Sequence, residues 1–153
     1  MGYGRFFEEL KVGQCFQHWP GRTINEYDDT LLSLLSMNQH PVHHDEHFAG
    51  RTRHGRRLVA GPTVISIVIG MTQRDIGGRA LETLSYSNIR HDGPVFHGDT
   101  IYAESKIVET RDLPAGRGAI TVATKARNQR NEIVLTLERQ IVVPKGGKPS
   151  CKQ

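Results

Sequence analysis

The chain has 153 residues and a formal net charge of +4, enough for one domain with a substantial core. Its 37% hydrophobic and 24% charged residues are ordinary for a globular protein. The longest largely apolar run, Val64 to Met71, is too short to cross a bilayer, and the first residues lack the apolar core of a secretory signal. Cys15 and Cys151 make no disulfide framework. We therefore expect a cytoplasmic protein with no membrane partner.

The basic excess comes from 20 Lys and Arg against 16 Asp and Glu. Part of it is clustered in one segment, at Arg51, Arg53, Arg56 and Arg57. No aromatic residues alternate with these arginines and no nucleic-acid-binding motif surrounds them, so we expect no nucleic-acid partner. Arginine matches phosphate oxygens well, and a small phosphorylated ligand suits the cluster as well as a solvated loop does.

The first third of the chain predicts a strand followed by a helix. Residues 14–19 alternate and are closed by Pro20-Gly21, with residues 22–24 extending the strand after a bulge. Asn25 is a candidate N-cap for a helix of about three turns, and Pro41 must end that helix no later than His40. The acids of its first turn are Glu26, Asp28 and Asp29, and its apolar face is Leu31, Leu32, Leu34 and Leu35.

The rest of the domain predicts a central helix and a sheet. Pro62 suits the first turn of a helix over residues 63–72, which is so apolar that it must be buried, and residues 75–78 end it. Alternating patterns then predict four antiparallel strands, at residues 81–90, 100–110, 119–126 and 133–143. The fold class is α+β, with an antiparallel sheet wrapped around the long helix. We expect one domain over residues 1–143 and a disordered tail over 144–153.

The segment Met37-Asn38-Gln39-His40-Pro41-Val42-His43-His44-Asp45-Glu46-His47-Phe48-Ala49 organises the functional interpretation. It holds four of the eight histidines around a proline that no helix interior tolerates. Ionisable side chains gathered where the backbone must turn indicate either a metal site or an acid–base site.

This segment resembles the hallmark of the MaoC-like hydratases, also called R-specific or type 2 enoyl-CoA hydratases, which adopt the hot-dog fold. Two further motifs match in order, at residues 59–66 and at Pro94-Val95-Phe96-His97-Gly98-Asp99-Thr100. The resemblance covers about residues 8 to 143. It implies a hot-dog domain that acts on an acyl-CoA thioester, needs no cofactor or metal, and forms a homodimer or higher homo-oligomer with its site at the subunit junction.

Position by position, the resemblance places the catalytic histidine at His43. It places the glycine whose N–H binds the thioester oxygen at Gly61, and a serine that lines the site at Ser66. The family's catalytic aspartate falls on Asn38 and its asparagine on His40. This exchange resembles a subgroup of hydratases for branched or dicarboxylic acyl-CoAs, of the mesaconyl or itaconyl type.

The chemistry of water addition to a 2-enoyl thioester leads to the same residues. It needs a base for water, a proton for the α-carbon and donors for the thioester oxygen. Histidine suits the base because its ordinary pKa lies near neutrality. We expect His43 to be the base, assisted by His40, with Asn38 positioning the water.

The predicted thioester-oxygen donor is the Gly61 N–H at the start of the central helix. Since Pro62 has no N–H, a second donor must come from Thr63 or from elsewhere. Asp45 either orients the His43 ring or caps a short helix through Phe48, and Ser66 either lines the site or bonds back to a helix carbonyl. His44 and His47 are assigned no role.

Two other functions fit parts of the sequence. His43-His44-Asp45-Glu46-His47 also spells the inverted zincin pattern, which would need both outer histidines on one face of a continuous helix. With Asn38 in place of the family's acid, the domain could also be a thioesterase or a non-catalytic acyl-CoA binder.

Overall fold

A computed structural model describes residues 3–146 and contains one five-stranded antiparallel sheet with strand order β1-β3-β4-β5-β2. The predicted strands and the α+β class are confirmed. β1 pairs with β3 through a register shift between His18 and Arg22, where the bulge was predicted. The strands are β1 Cys15–Thr23, β2 Glu82–His91, β3 Thr100–Leu113, β4 Arg117–Arg127 and β5 Ile133–Pro144. Residues 147–153 of the predicted tail, with Cys151, lie outside the described residues.

Four helices precede β2 along the chain. They are α1 Glu26–Leu35, α2 Pro41–His44, α3 Glu46–Gly50 and α4 Gly61–Met71, and short 3-10 turns occupy Phe7–Glu9 and Gly77–Arg79. Asn25 caps α1 as predicted, because its side chain accepts a hydrogen bond from the Asp28 N–H. Pro62 lies in the first turn of α4, the central helix. The predicted helix over residues 63–72 is observed over Gly61–Met71, with Thr72 as its C-cap. In residues 3–146, no helix is long and apolar enough to span a membrane.

The core of the domain is divided into two apolar clusters. The first joins α4, through Val64 and Val68, to sheet residues that include Ile101 and Leu135. The second lies beyond the end of α4 and surrounds Ile76, with members from all four of the strands β1, β3, β4 and β5. Both clusters lie on the face of the sheet that α4 covers.

A band of buried polar side chains separates the two clusters, and we call it the polar seam: His18, Ser105, Thr124 and Arg139. The His18 ring lies 2.8 Å from Asp75 Oδ2 through Nδ1 and 2.8 Å from Ser105 Oγ through Nε2. Ser105 Oγ is in turn 2.8 Å from Thr124 Oγ1. Arg139 donates to Thr72 Oγ1, the C-cap of α4, at 2.9 Å. The seam therefore ties the end of α4 to the sheet.

The expected apolar face of α1 is wrong. Leu34 and Leu35 are 70% and 74% exposed, whereas the buried residues of this helix are Asp29 and Ser33. The face that a helix buries is set by what it packs against, and here Asp29 accepts hydrogen bonds from the start of α4. The polar side of α1 therefore turns inward, and Leu31, Leu34 and Leu35 face outward.

The expectation that α4 is buried on all sides is also wrong for the single chain, since Ser66 and Gly70 are exposed. At the sheet edge, every residue of β2 is exposed. The single chain therefore leaves apolar residues of α1, positions on α4 and the β2 edge strand exposed.

Candidate active site

The bend before α2 is built from the histidine-rich segment. His40 is the N-cap of α2, and its Nδ1 accepts a hydrogen bond from the Val42 N–H at 3.2 Å, while Pro41 occupies the first helical position. Asn38 Oδ1 accepts from the His40 N–H at 3.2 Å. His44 Nε2 donates to the Asn38 carbonyl oxygen at 2.7 Å. These bonds fix the bend that carries the predicted catalytic residues.

His43 lies on α2 with its ring held in one orientation. Its Nδ1 is 2.8 Å from the carbonyl oxygen of Leu58. A carbonyl oxygen can only accept, so Nδ1 carries the hydrogen, and in the neutral ring the lone pair is on Nε2. The His40 ring centroid lies 5.8 Å from that of His43. His43 therefore presents Nε2 as a basic nitrogen. The residue that orients its ring, Leu58, is three residues before Gly61.

Asp45 separates α2 from α3. Its backbone is extended, with φ −103° and ψ 104°, and its side chain accepts from the Phe48 N–H at 2.8 Å as the N-cap of α3. Of the two roles predicted for Asp45, the structure shows the cap, and the Leu58 carbonyl orients the His43 ring instead. The break also puts His43 and His47 on different helices, so the continuous helix required by the zincin pattern is not formed. Among residues 3–146, no group of three or more His, Cys, Asp or Glu is placed to hold a metal ion.

Gly61 is the first residue of α4, and its N–H has no acceptor among residues 3–146. The alternative donor Thr63 is not available. Its N–H donates to the Ala60 carbonyl at 3.0 Å, and its hydroxyl donates to Asp29 Oδ1 at 2.8 Å. Both of its donors are used in holding the helix start, and substrate binding by Thr63 stays a prediction from the sequence.

The sequence does not identify Asp29 as a site residue, because in the sequence it is one of three acidic residues in the first turn of a helix and nothing distinguishes it from the other two. It is 1% exposed. Its Oδ1 accepts from the Ala60 N–H at 2.9 Å and from the Thr63 hydroxyl, and its Oδ2 lies 3.0 Å from His97 Nε2. Asp29 thus joins α1, the segment after β2 and the start of α4. It fixes the backbone on both sides of Gly61.

We expect Asp29→Ala to lower the free energy of unfolding by about 3 kcal/mol or more. The substitution leaves the donors of Ala60, Thr63 and His97 without an acceptor, and each unsatisfied buried donor costs about 1–3 kcal/mol. Urea unfolding measures the loss. The control is Glu26→Ala on the same helix turn, which removes an exposed ion pair with Arg57 worth at most about 1 kcal/mol. Equal effects of the two variants would contradict the role of Asp29.

Ser66 lies apart from the first turn of α4. It is exposed and lines a groove of about 230 Å³ between α1 and α4, with Leu31, Leu35 and Ile67 among its neighbours. Five residues of helix place it about 7.5 Å along the axis from Gly61. The described contacts link His43 to Leu58, three residues before Gly61, whereas Ser66 opens on the neighbouring groove.

The arginine cluster divides into different environments. Arg57 donates to Glu26 of α1 at 2.7 Å and to Glu46 of α3 at 2.6 Å, and these hydrogen bonds raise its pKa above the usual range. The Arg56 guanidinium stacks 3.8 Å from the centroid of the Phe96 ring. Arg51, Arg53 and Arg56 are exposed. Arg57 therefore holds two helices, and the other three remain candidates for an anionic ligand.

Asp99, in the third motif, has a structural role. It is 3% exposed and accepts hydrogen bonds from Gln129, from the Phe96 N–H and from Arg130. Burial acts to raise its pKa, but these donors outweigh burial and hold the pKa below the ordinary value. The carboxylate closes the turn before β3.

The sheet, the central helix and the site at its start define a hot-dog-fold domain. A solved Mycobacterium tuberculosis structure described as a double hot-dog fold superposes with a TM-score of 0.86 over 98% of this chain and 46% of that chain, at 22% identity. Residues 8–129 match the MaoC like domain, and the chain belongs to this family. The predicted resemblance is confirmed.

Two relatives show the range of the family. Mesaconyl-CoA hydratase of Cereibacter sphaeroides is 32% identical over 93% of this chain, and this chain spans only 42% of that relative. An (R)-specific enoyl-CoA hydratase of Rhodospirillum rubrum is 27% identical over 93% of this chain and 94% of its own length. This chain is thus similar both to one part of a longer hydratase and to nearly all of a shorter one.

Proposed function

We propose that this domain adds water to the double bond of a 2-enoyl-CoA thioester, or removes water in the reverse direction. The observation that carries the proposal is the hydrogen bond from His43 Nδ1 to the Leu58 carbonyl at 2.8 Å. It leaves a basic Nε2 on a ring that is bonded to Leu58, three residues before Gly61, whose N–H has no acceptor among residues 3–146. A base and a donor for the thioester oxygen are the two groups that the reaction needs most.

In the proposed reaction, His43 Nε2 takes a proton from water as the water oxygen bonds to C3 of the acyl chain. The electrons of the C2–C3 double bond move toward the thioester, and its oxygen becomes an enolate held by the Gly61 N–H at the positive end of α4. The His43 imidazolium then returns its proton to C2. The carbonyl reforms, and one water has been added with no other reactant.

Asn38 and His40 position the water in this scheme. The Asn38 side-chain oxygen is used by the His40 N–H, so its amide hydrogens are left to donate to the water oxygen. His40 Nδ1 accepts from Val42, so the hydrogen of the neutral ring is on Nε2, which is a second donor. Neither group is a base here, and both support His43.

Similarity to the Cereibacter hydratase favours a branched or dicarboxylic acyl group as substrate. The test is incubation with a panel of 2-enoyl-CoAs, including branched and dicarboxylic members, with mass spectrometric detection of one added water. Release of free thiol in place of hydration would identify a thioesterase. Binding without any change in mass would identify an acyl-CoA binder.

The cytoplasmic location remains a prediction from the sequence.

We also propose that two copies of the chain associate through β2. Every residue of this edge strand is exposed, including Leu84, Tyr86 and Ile89, and unpaired edges invite pairing with another strand. A dimer would place two hot-dog units side by side, the number found in the double hot-dog structure.

We expect sedimentation equilibrium at micromolar concentration to give twice the mass of one chain. Replacing Ile89 by lysine puts a charge on the exposed strand and is expected to shift the protein toward single chains. The matched control is Val108→Lys, on an exposed site of β3 away from this edge. A single-chain mass for the unaltered protein would overturn the proposed association.

A further inference from the structure

His91, the last residue of β2, lies directly against Gly61. A Cβ built on Gly61 would be 2.6 Å from His91 Nε2 and 2.8 Å from its Cε1. The edge of the imidazole that carries Nε2 therefore occupies the space over the glycine α-carbon. His91 is itself exposed, so that a ligand arriving from solvent at the start of α4 meets this ring edge.

Among residues 3–146, the start of α4 offers a single free backbone donor. Pro62 has no N–H, and the N–H groups of Thr63 and Val64 both donate to the Ala60 carbonyl, at 3.0 and 3.3 Å. Only the Gly61 N–H is left. Enolate oxygens carry a full negative charge, and sites that stabilise such charge present more than one donor to it.

We propose that His91 is the second donor, with its Nε2–H directed at the thioester oxygen beside the Gly61 N–H. This inference rests on the proposed hydration reaction and assigns a further catalytic residue to it. His91 transfers no proton in this role. It donates one hydrogen bond, which strengthens as negative charge builds on the oxygen.

The neighbouring polar side chains are less suited to this role. His97 Nε2 is engaged with Asp29 at 3.0 Å, and its side chain is 17% exposed. Arg90 precedes His91 on the strand, so its side chain points to the opposite face of the sheet, where it lies 3.4 Å from Asp92. His91 is therefore the side-chain donor that the described contacts place at Gly61.

The test separates a hydrogen-bond donor from a packing ring. A conjugated thioester such as (2E,4E)-hexadienoyl-CoA absorbs at longer wavelength when donors polarise its carbonyl, and His43→Ala keeps the probe from being consumed. In that background we expect bound probe to show a red shift. We expect His91→Phe to remove at least half of the shift, and His91→Gln, which keeps an N–H donor, to retain most of it.

Turnover gives a second readout. With His43 intact, His91→Phe is expected to lower kcat roughly tenfold or more, with a smaller change in KM. His47→Phe is the matched control, because His47 is exposed on α3 and is expected to leave kcat and the red shift unchanged. Thermal unfolding verifies that each variant is folded, and His91→Leu replaces His91→Phe if the larger ring perturbs the fold.

The possible results distinguish this inference from the proposed function. Unchanged red shift and kcat in His91→Phe would overturn the role of His91 and leave the hydratase proposal standing. A red shift that depends on His91, in a protein that hydrates no member of the panel, would support the donor and overturn the hydration reaction. Failure of the parent protein both to bind and to hydrate any thioester would overturn both.

Discussion

Replacing His43 with alanine is expected to lower the rate of hydration by about 10²- to 10⁴-fold, the usual contribution of a positioned acid–base group. The reason is that, in the proposed reaction, His43 carries the proton both from water and to the α-carbon. Within residues 3–146 its ring makes one hydrogen bond, to the Leu58 carbonyl, so we expect the variant to fold. Steady-state turnover of the best substrate in the panel measures the effect.

The control for this variant is His47→Ala. His47 lies four residues away in sequence on a different helix and is exposed, so its replacement is expected to leave turnover unchanged. If His43→Ala keeps more than about a tenth of the parent rate, a loss smaller than about 1.4 kcal/mol, His43 is not the base.

The second large effect is expected for Gly61→Ala, which should strongly lower kcat while preserving the fold. The new Cβ would lie 2.6 Å from His91 Nε2, and since His91 is an exposed side chain it can move away at little cost. Alanine also suits the first turn of a helix better than glycine does, so stability should hold or rise by about 0.4–1 kcal/mol. The methyl group would crowd the thioester oxygen, and we expect kcat to fall roughly a hundredfold.

Gly70→Ala is the matched control on the same helix. A Cβ on Gly70 meets nothing within 4 Å, so this variant is expected to be more stable by about 0.5–1 kcal/mol and to keep its activity. Parallel measurement of kcat and of the thermal unfolding midpoint for the two variants tests this prediction. Full activity in Gly61→Ala would show that the thioester oxygen does not bind at this amide.

The sequence was sufficient to predict the strands, the central helix and the family, because turn residues, alternation and three ordered motifs all agree. The interior face of α1 could not be predicted in this way. Four leucines at helical spacing indicate an apolar buried face, yet Asp29 and Ser33 are buried. Periodicity shows that a helix has two faces, but which one is covered depends on a neighbour that is distant in the chain.

The candidate site was predictable only where its residues are close in sequence. His40, His43 and Asn38 share one bend, and the motif identified them together. His91 and His97 reach Gly61 and Asp29 across intervals of 30 and 68 residues, and no local pattern records such contacts. The bond from the Thr63 hydroxyl to Asp29 could not be predicted for the same reason, because Asp29 is on another helix.

The two ends of α4 are both anchored through buried polar contacts, by Asp29 at the start and by the polar seam at the finish. A helix restrained at both termini cannot slide along its axis or rotate when a substrate arrives. The position of the Gly61 amide is therefore fixed when the chain folds, and in the proposed reaction the cost of orienting this dipole would not recur in each catalytic cycle. Such advance alignment gives an uncharged peptide group the means to stabilise a charged intermediate.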